Sequence, residues 1–181
     1  MPTEWKFYNM LNTMQYCLIA LDIDGTLANS QKEISQRNIN ALAQAVSQGA
    51  QVALVSGRPT PGILPTAKAI NMDKIGGFIL SFNGAKIINY ATGEVIYQNV
   101  LTAHDVQAIC AEAQALGVAA ITYSDQALYS TSAQNQYVQK EATINKMPVV
   151  EVADLAAATT FETPKGLMVD DTKKKDTTVL P

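Results

Sequence analysis

Two short runs hold residues able to do chemistry. Asp22-Ile23-Asp24-Gly25-Thr26-Leu27 sets two carboxylates one residue apart, directly behind the apolar run Cys17-Leu18-Ile19-Ala20-Leu21. Ser56-Gly57-Arg58 follows a second apolar run, Val52-Ala53-Leu54-Val55, and joins a hydroxyl, an unhindered amide and a guanidinium. Paired acids at a strand end repel unless a cation holds them, and an oxygen-only donor set suits Mg²⁺. The second run suits an oxyanion such as phosphate. Each also has a plainer reading: an Asx-type turn with two solvated acids, and a helix-capping serine. Position favours the chemistry, because open parallel sheets bind ligands beyond the carboxyl ends of their strands. Gly57 to Gly62 has the end spacing of a nucleotide P-loop, but Ile63-Leu64 stand where Lys and Ser/Thr are required.

The elements that must position these residues alternate strand and helix. The runs at 17–21, 52–55 and 78–80 read as short parallel strands covered on both faces. Ser35 is placed to cap a helix carrying Ile39, Leu42, Ala43 and Val46, with Ile34 stapled to Ile39 and Gly49 at C′. Pro59, Pro61 and Pro65 predict a second helix that starts late or is kinked and ends near Ile70. Lys86–Tyr90 and Glu94–Gln98 flank an Ala91-Thr92-Gly93 turn, the pattern of a hairpin. Asn83 closes the third strand near the same edge; it is a candidate substrate contact, or simply part of an Asn-Gly turn.

Past Leu101 the alternation gives way to an α+β segment. Thr102 and Asp105 match a capping box ahead of Val106, Ile109, Cys110 and Ala113. Strands are expected at 118–123, 127–129 and 167–169, with a short helix at 135–143. Tyr123, Tyr129 and Tyr137 either line a face over a substrate or pack internally. His104 reads as a surface residue.

Composition closes several other routes. The chain has 181 residues, 48% of them hydrophobic and 16% charged, with net charge −3, which excludes a disordered polyelectrolyte and disfavours nucleic acid or an anionic membrane as partner. No apolar run approaches the ~20 residues of a membrane helix, and residues 1–16 lack a signal-peptide core, so a cytoplasmic protein is expected. Cys17 and Cys110 form no metal-ligand spacing and read as two buried core thiols.

In ordered combination, Leu18–Leu27, Ile34-Ser35, Val55-Ser56-Gly57-Arg58-Pro59 and Phe82-Asn83-Gly84-Ala85 resemble the haloacid dehalogenase superfamily, and most nearly its Cof-type IIB phosphatases. The resemblance implies an α/β fold: a Rossmannoid three-layer core, its parallel sheet incomplete here, with a partial α+β cap inserted. Residues 1–16 would be an extension, 17–101 the first half of the core, and 102–181 part of the cap. It also implies Mg²⁺-dependent hydrolysis of a small phosphate ester, such as a sugar phosphate, through an aspartyl-phosphate. Asp22 would be the nucleophile and Asp24 the acid and base. The Asp22 carboxylate and the Asp24 carbonyl would hold Mg²⁺, and Ile23, Ser56 and Gly57 would hold the phosphoryl. Arg58 and Asn83 would be candidate substrate contacts.

The family pattern continues to a catalytic lysine and a second acidic metal motif. Lys165-Gly166 resembles the lysine motif only superficially, because Leu167-Met168-Val169 looks like a cap strand. The strand carrying Asp22 would then be an exposed apolar edge, covered in a homo-oligomer, or the chain would be a truncated, non-catalytic remnant.

Overall fold

The computed structural model describes residues 17–170. The extension expected over residues 1–16 and the polar tail after Asp170 lie outside them. The first sheet has the order β1-β2-β3-β4-β5: β1 (Leu18–Asp22), β2 (Gln51–Val55), β3 (Phe78–Ser81), β4 (Lys86–Asn89) and β5 (Val95–Gln98). The first three strands are parallel, and β4 and β5 form the expected antiparallel hairpin. Asp22 is level with Val55, and Val55 with Leu80. The register therefore delivers Asp22, Ser56 and the segment after Ser81 to one sheet edge.

Local signals explain the helices between these strands. In α1 (Gln36–Ser47), Ser35 Oγ accepts the Asn38 amide hydrogen. Gly49 and Ala50 close the other end by donating to the carbonyls of Val46 and Ala45, with Gly49 at φ 103°. Helix α2 (Thr60–Ala69) begins immediately after Pro59 rather than late. Pro61 lies in the first turn, where a missing N–H costs nothing, and Pro65, on the exposed face, forfeits one ladder bond in a helix that buries Gly62, Ile63 and Ala67. Both helices, with the short α3 (Met72–Ile75), pack Leu42, Ile63, Ala67 and Met72 against Val52, Leu54 and Ile79.

β2 is buried on both faces, as expected. β1 is not: it is an edge strand, and Leu18 is 54% exposed. Cys17, at its start, is exposed and Cys110 is half-buried, so neither is a fully enclosed core thiol.

The second sheet has the order β8-β7-β6-β9, from β6 (Ala119–Tyr123), β7 (Leu128–Ser130), β8 (Val149–Glu151) and β9 (Gly166–Val169). Helices α4 (Ala103–Leu116), α5 (Gln136–Asn145) and the short α6 (Leu155–Ala158) accompany it. α4 opens on the Thr102–Asp105 capping box and closes on Gly117 at φ 65°. The Asp105 carboxyl, accepting from the Thr102 hydroxyl and backbone amide, is held below its ordinary value. Tyr123 is fully buried and donates its hydroxyl to Glu141 Oε1 at 2.8 Å, and Tyr129 packs on Phe161. For these two tyrosines, internal packing is the role observed. Burial, then the nearby Glu141 carboxylate, pushes the Tyr123 phenol far above its usual range.

The two sheets are joined by more than the chain. Phe82, just past β3, belongs to the second sheet's core with Ile121, Tyr123, Leu128 and Val138. Its ring meets Tyr123 edge-on, centroids 5.7 Å apart. Lys86 pairs with Asp125 at 2.7 Å, Gln98 donates to Glu162, and the Leu101 amide donates to the Thr163 carbonyl.

Candidate active site

Three loop segments meet at the carboxyl ends of β1, β2 and β3. After β1 the chain makes one wide turn, with the Leu27 amide donating to the Asp22 carbonyl and the Ala28 amide to the Ile23 carbonyl, a π-helical spacing. Gly25, at φ 82°, permits the reversal. Ile23, Leu27 and Ala28 face inward to the core while Asp22, Asp24 and Thr26 remain exposed. An apolar-polar alternation thus anchors the turn and leaves its acids outside.

The two acids have different surroundings. Asp22 has no side-chain partner among the described residues. Asp24 is clamped: Arg58 Nη2 and Nε reach its two oxygens at 2.7 and 3.0 Å, and Lys32 Nζ reaches Oδ1 at 2.6 Å. Burial works against ionisation of Asp24, but the hydrogen bonds and charges of Lys32 and Arg58 outweigh it and hold the carboxyl below its ordinary value. Lys32 was not foreseen as a site residue. It stands at φ 63° in a turn that Asn29 organises by accepting the Gln31 and Glu33 amides on Oδ1, and that turn presents it to Asp24. The Asn29 turn was the available signal.

Ser56 is buried, and its Oγ accepts the Arg58 amide hydrogen at 3.2 Å, which leaves its own proton free to donate elsewhere. It does not cap α2; Pro59 occupies the N-cap with no side-chain bond. The Phe82–Gly84 turn is folded tightly onto this loop. The Phe82 amide donates to the Arg58 carbonyl, and the Asn83 amide to the Ser56 carbonyl. Phe82, Asn83 and Gly84 all have positive φ (53°, 58° and 90°), an uncommon state for a bulky side chain. A Cβ on Gly57 would collide with Asn83 Oδ1, so the glycine is required for this close approach. Asn83 therefore lies against the Ser56-Gly57 loop.

From the second sheet, Lys165 Nζ donates to the Gly57 carbonyl at 3.1 Å and lies 5.9 Å from the Tyr123 ring centroid. Its neighbours Gly166–Val169 pair antiparallel with β6, as the strand reading of that segment expected. A cation supplied from 108 positions away is nonetheless at the site's edge, which spacing along the chain does not reveal.

Among the described residues no group of three or more His, Cys, Asp or Glu gathers to hold a metal. The unpartnered Asp22 carboxylate, with the Asp24 carbonyl, still fits Mg²⁺, which commonly takes one or two protein oxygens and completes its shell with water and phosphate. The Asp24 side chain is committed to its two cations.

A parallel-stranded α/β core with an acid pair and the Ser56-Gly57 loop at one edge defines a Rossmannoid α/β class. The family described as haloacid dehalogenase-like hydrolase matches residues 19–179, and the chain belongs to it. A crystal structure of a haloacid dehalogenase-like hydrolase from Bacteroides thetaiotaomicron is 42% identical and superposes with a TM-score of 0.80, covering 90% of this chain and 61% of that one. Phosphatase YwpJ of Bacillus subtilis is 39% identical over 70 residues, covering 39% of this chain and 24% of that protein. A protein of Streptococcus pyogenes is 28% identical over 137 residues, covering 75% of this chain and 51% of that one. The chain spans about half the length of this streptococcal relative, and less of YwpJ.

Proposed function

We propose that this polypeptide supplies the nucleophile and phosphate-binding half of a phosphomonoester hydrolase. The observation that carries the reading is the convergence of an unpartnered Asp22, a clamped Asp24 and the Ser56-Gly57 loop at one sheet edge. Membership of the hydrolase family and the likeness to phosphatase YwpJ support it.

Asp22 attacks phosphorus through a carboxylate oxygen, and the ester P–O bond breaks as an acyl phosphate forms. Asp24 hands a proton to the departing alkoxide. It then takes one from water, which attacks the acyl phosphate and regenerates Asp22 with release of inorganic phosphate. Ser56 Oγ–H and the Gly57 and Ile23 amides meet the charge on the transferring phosphoryl oxygens, where preorganised donors lower the barrier most. Mg²⁺ bound at Asp22 would offset the repulsion between that carboxylate and a phosphate dianion. With two cations on it, Asp24 is in its ionised form, the one that serves the water step. Acid catalysis in the first step requires Asp24 to take up a proton from solvent as the incoming substrate loosens that clamp.

The substrate class is a small phosphometabolite, and the setting a cytoplasmic one. A single-turnover assay with an aryl phosphate, with and without Mg²⁺, tests the reading. Asp22→Asn should lower the rate at least a thousandfold with little change in phosphate affinity. Equal rates for the variant and the parent chain refute the nucleophile assignment.

A further inference from the structure

A cavity of about 400 Å³ opens beside Asp24 and Arg58. It lies between the Asn29–Ile34 turn, helices α1 and α2, and the C-terminal end of α5. Its charged lining is uneven: Lys32, Arg58 and Lys146 face a single carboxylate, that of Asp24. Lys32 and Arg58 share that one acid, so one positive charge there is unmatched. Lys146 has no ion pair among the described residues, which leaves a second. The rest of the wall is mainly apolar, including Ile34, Ile39, Pro65 and Ile144, and Ile144 is 43% exposed.

The position of Lys146 and Ile144 is fixed by packing. Asn145, between them, is 1% exposed and binds Glu141 through Nδ2, to the carbonyl and to Oε1, both at 2.9 Å. Its Oδ1 lies so close to Gly62 that a Cβ there would stand 2.5 Å from it. This contact holds the end of α5 against α2, and Lys146 then turns out of the helix at φ 55°. The cavity's cationic rim is thus built across the junction of the two sheets' helices.

We propose that this cavity receives the leaving group of the substrate, and that it selects phosphomonoesters whose alcohol portion carries a second anionic group on an apolar body. The inference rests on the phosphatase reading for its orientation. Asp24 must stand next to the leaving oxygen, and Asp24, with its neighbour Ile23, is shared by the phosphoryl site and the cavity. An apolar ring or chain fits the isoleucine wall, and a carboxylate or phosphate at its far end answers the excess positive charge. A neutral polyol satisfies neither surface.

The test separates binding from turnover by using the full chain with Asp22→Asn, which cannot form the acyl phosphate. Calorimetric titration compares 4-carboxyphenyl phosphate with phenyl phosphate at low and at moderate salt. The carboxylated ligand should bind at least tenfold tighter, with the advantage shrinking as salt rises. Adding Lys146→Gln should reduce the ratio of affinities severalfold. Equal affinities, absence of binding by both ligands, or a ratio untouched by Lys146→Gln would overturn the proposal. Preference of the variant for the anionic ligand, with no hydrolysis of either ester by the parent chain, retains the cavity assignment and loses the phosphatase reading. A chain that hydrolyses both esters equally, with equal affinities, does the reverse.

Discussion

Gly62 is the residue at which the two halves of the molecule can be wedged apart in a controlled way. Its carbonyl accepts Arg58 Nη1 at 3.4 Å, and its Cα faces Asn145. In Gly62→Ala the new methyl would lie 2.5 Å from Asn145 Oδ1, 3.3 Å from Cγ and 3.4 Å from Cα. Asn145 cannot swing away cheaply, since its Nδ2 is held twice by Glu141 and the side chain is buried. The helices must part by about 1 Å to restore ordinary contact, an overpacking cost of about 1–3 kcal/mol. Asn145→Ala alone loses two hydrogen bonds, about 1–2 kcal/mol. It also removes an Oδ1 that has no hydrogen-bond partner. In the double variant the methyl has room, so the two costs should fall short of their sum by about 1–2 kcal/mol. Urea denaturation reads this directly: Gly62→Ala should lower the midpoint by about 1 M for a slope near 2 kcal/mol/M. Strict additivity within about 0.5 kcal/mol, or no loss in Gly62→Ala, would refute the contact as the fastening between α2 and α5.

Two further outcomes are expected. Thr102→Ala removes the hydroxyl's hydrogen bond to the Asp105 carboxyl, which is depressed in the folded chain, and leaves only the backbone amide on it. Stability from that depression is present above the unfolded carboxylate value and lost as pH falls through the folded one. The difference in melting temperature between parent and variant should therefore be full near pH 6 and shrink below about pH 4; a constant gap across that range contradicts it. Leu18→Lys places a charge on the exposed apolar edge strand, and light scattering should show less concentration-dependent self-association than in the parent chain, with fold content by circular dichroism unchanged. Equal association in both chains removes β1 as the pairing edge.

What the residues disclose in advance is whatever short-range physics determines. The three strand runs, the Ser35 cap with its Gly49 stop, the Thr102–Asp105 box and the hairpin around Gly93 are each decided within a few positions, and each is found where its pattern falls, although β1 lies at the sheet edge and is not covered on both faces. The helix at Thr60 was read too cautiously because prolines in a first turn remove only donors that have no partner there. β8 and α6 are three and four residues long, too short for any periodicity to register. That Asp22 and Ser56 would meet at one sheet edge was legible because one strand end dictates the place of each. Lys165 on the Gly57 carbonyl, Lys32 on Asp24 and Asn145 against Gly62 were not, because their partners are brought together by the tertiary fold or by a turn of unforeseen shape.

Phe82 has a kinetic consequence. Its backbone is bonded to the oxyanion loop, while its ring sits in the core of the second sheet, 4% exposed. The second sheet cannot swing away from the first as on a loose hinge, because separation has to draw an aromatic ring out of its socket. Uncovering about 150–250 Å² of ring surface, at about 25 cal/mol per Å², amounts to about 4–6 kcal/mol. That barrier slows the motion by about three to four powers of ten. Any parting of the two sheets is thereby timed by a single aromatic latch, and every opening tugs the Ser56–Arg58 segment to which its backbone is bonded.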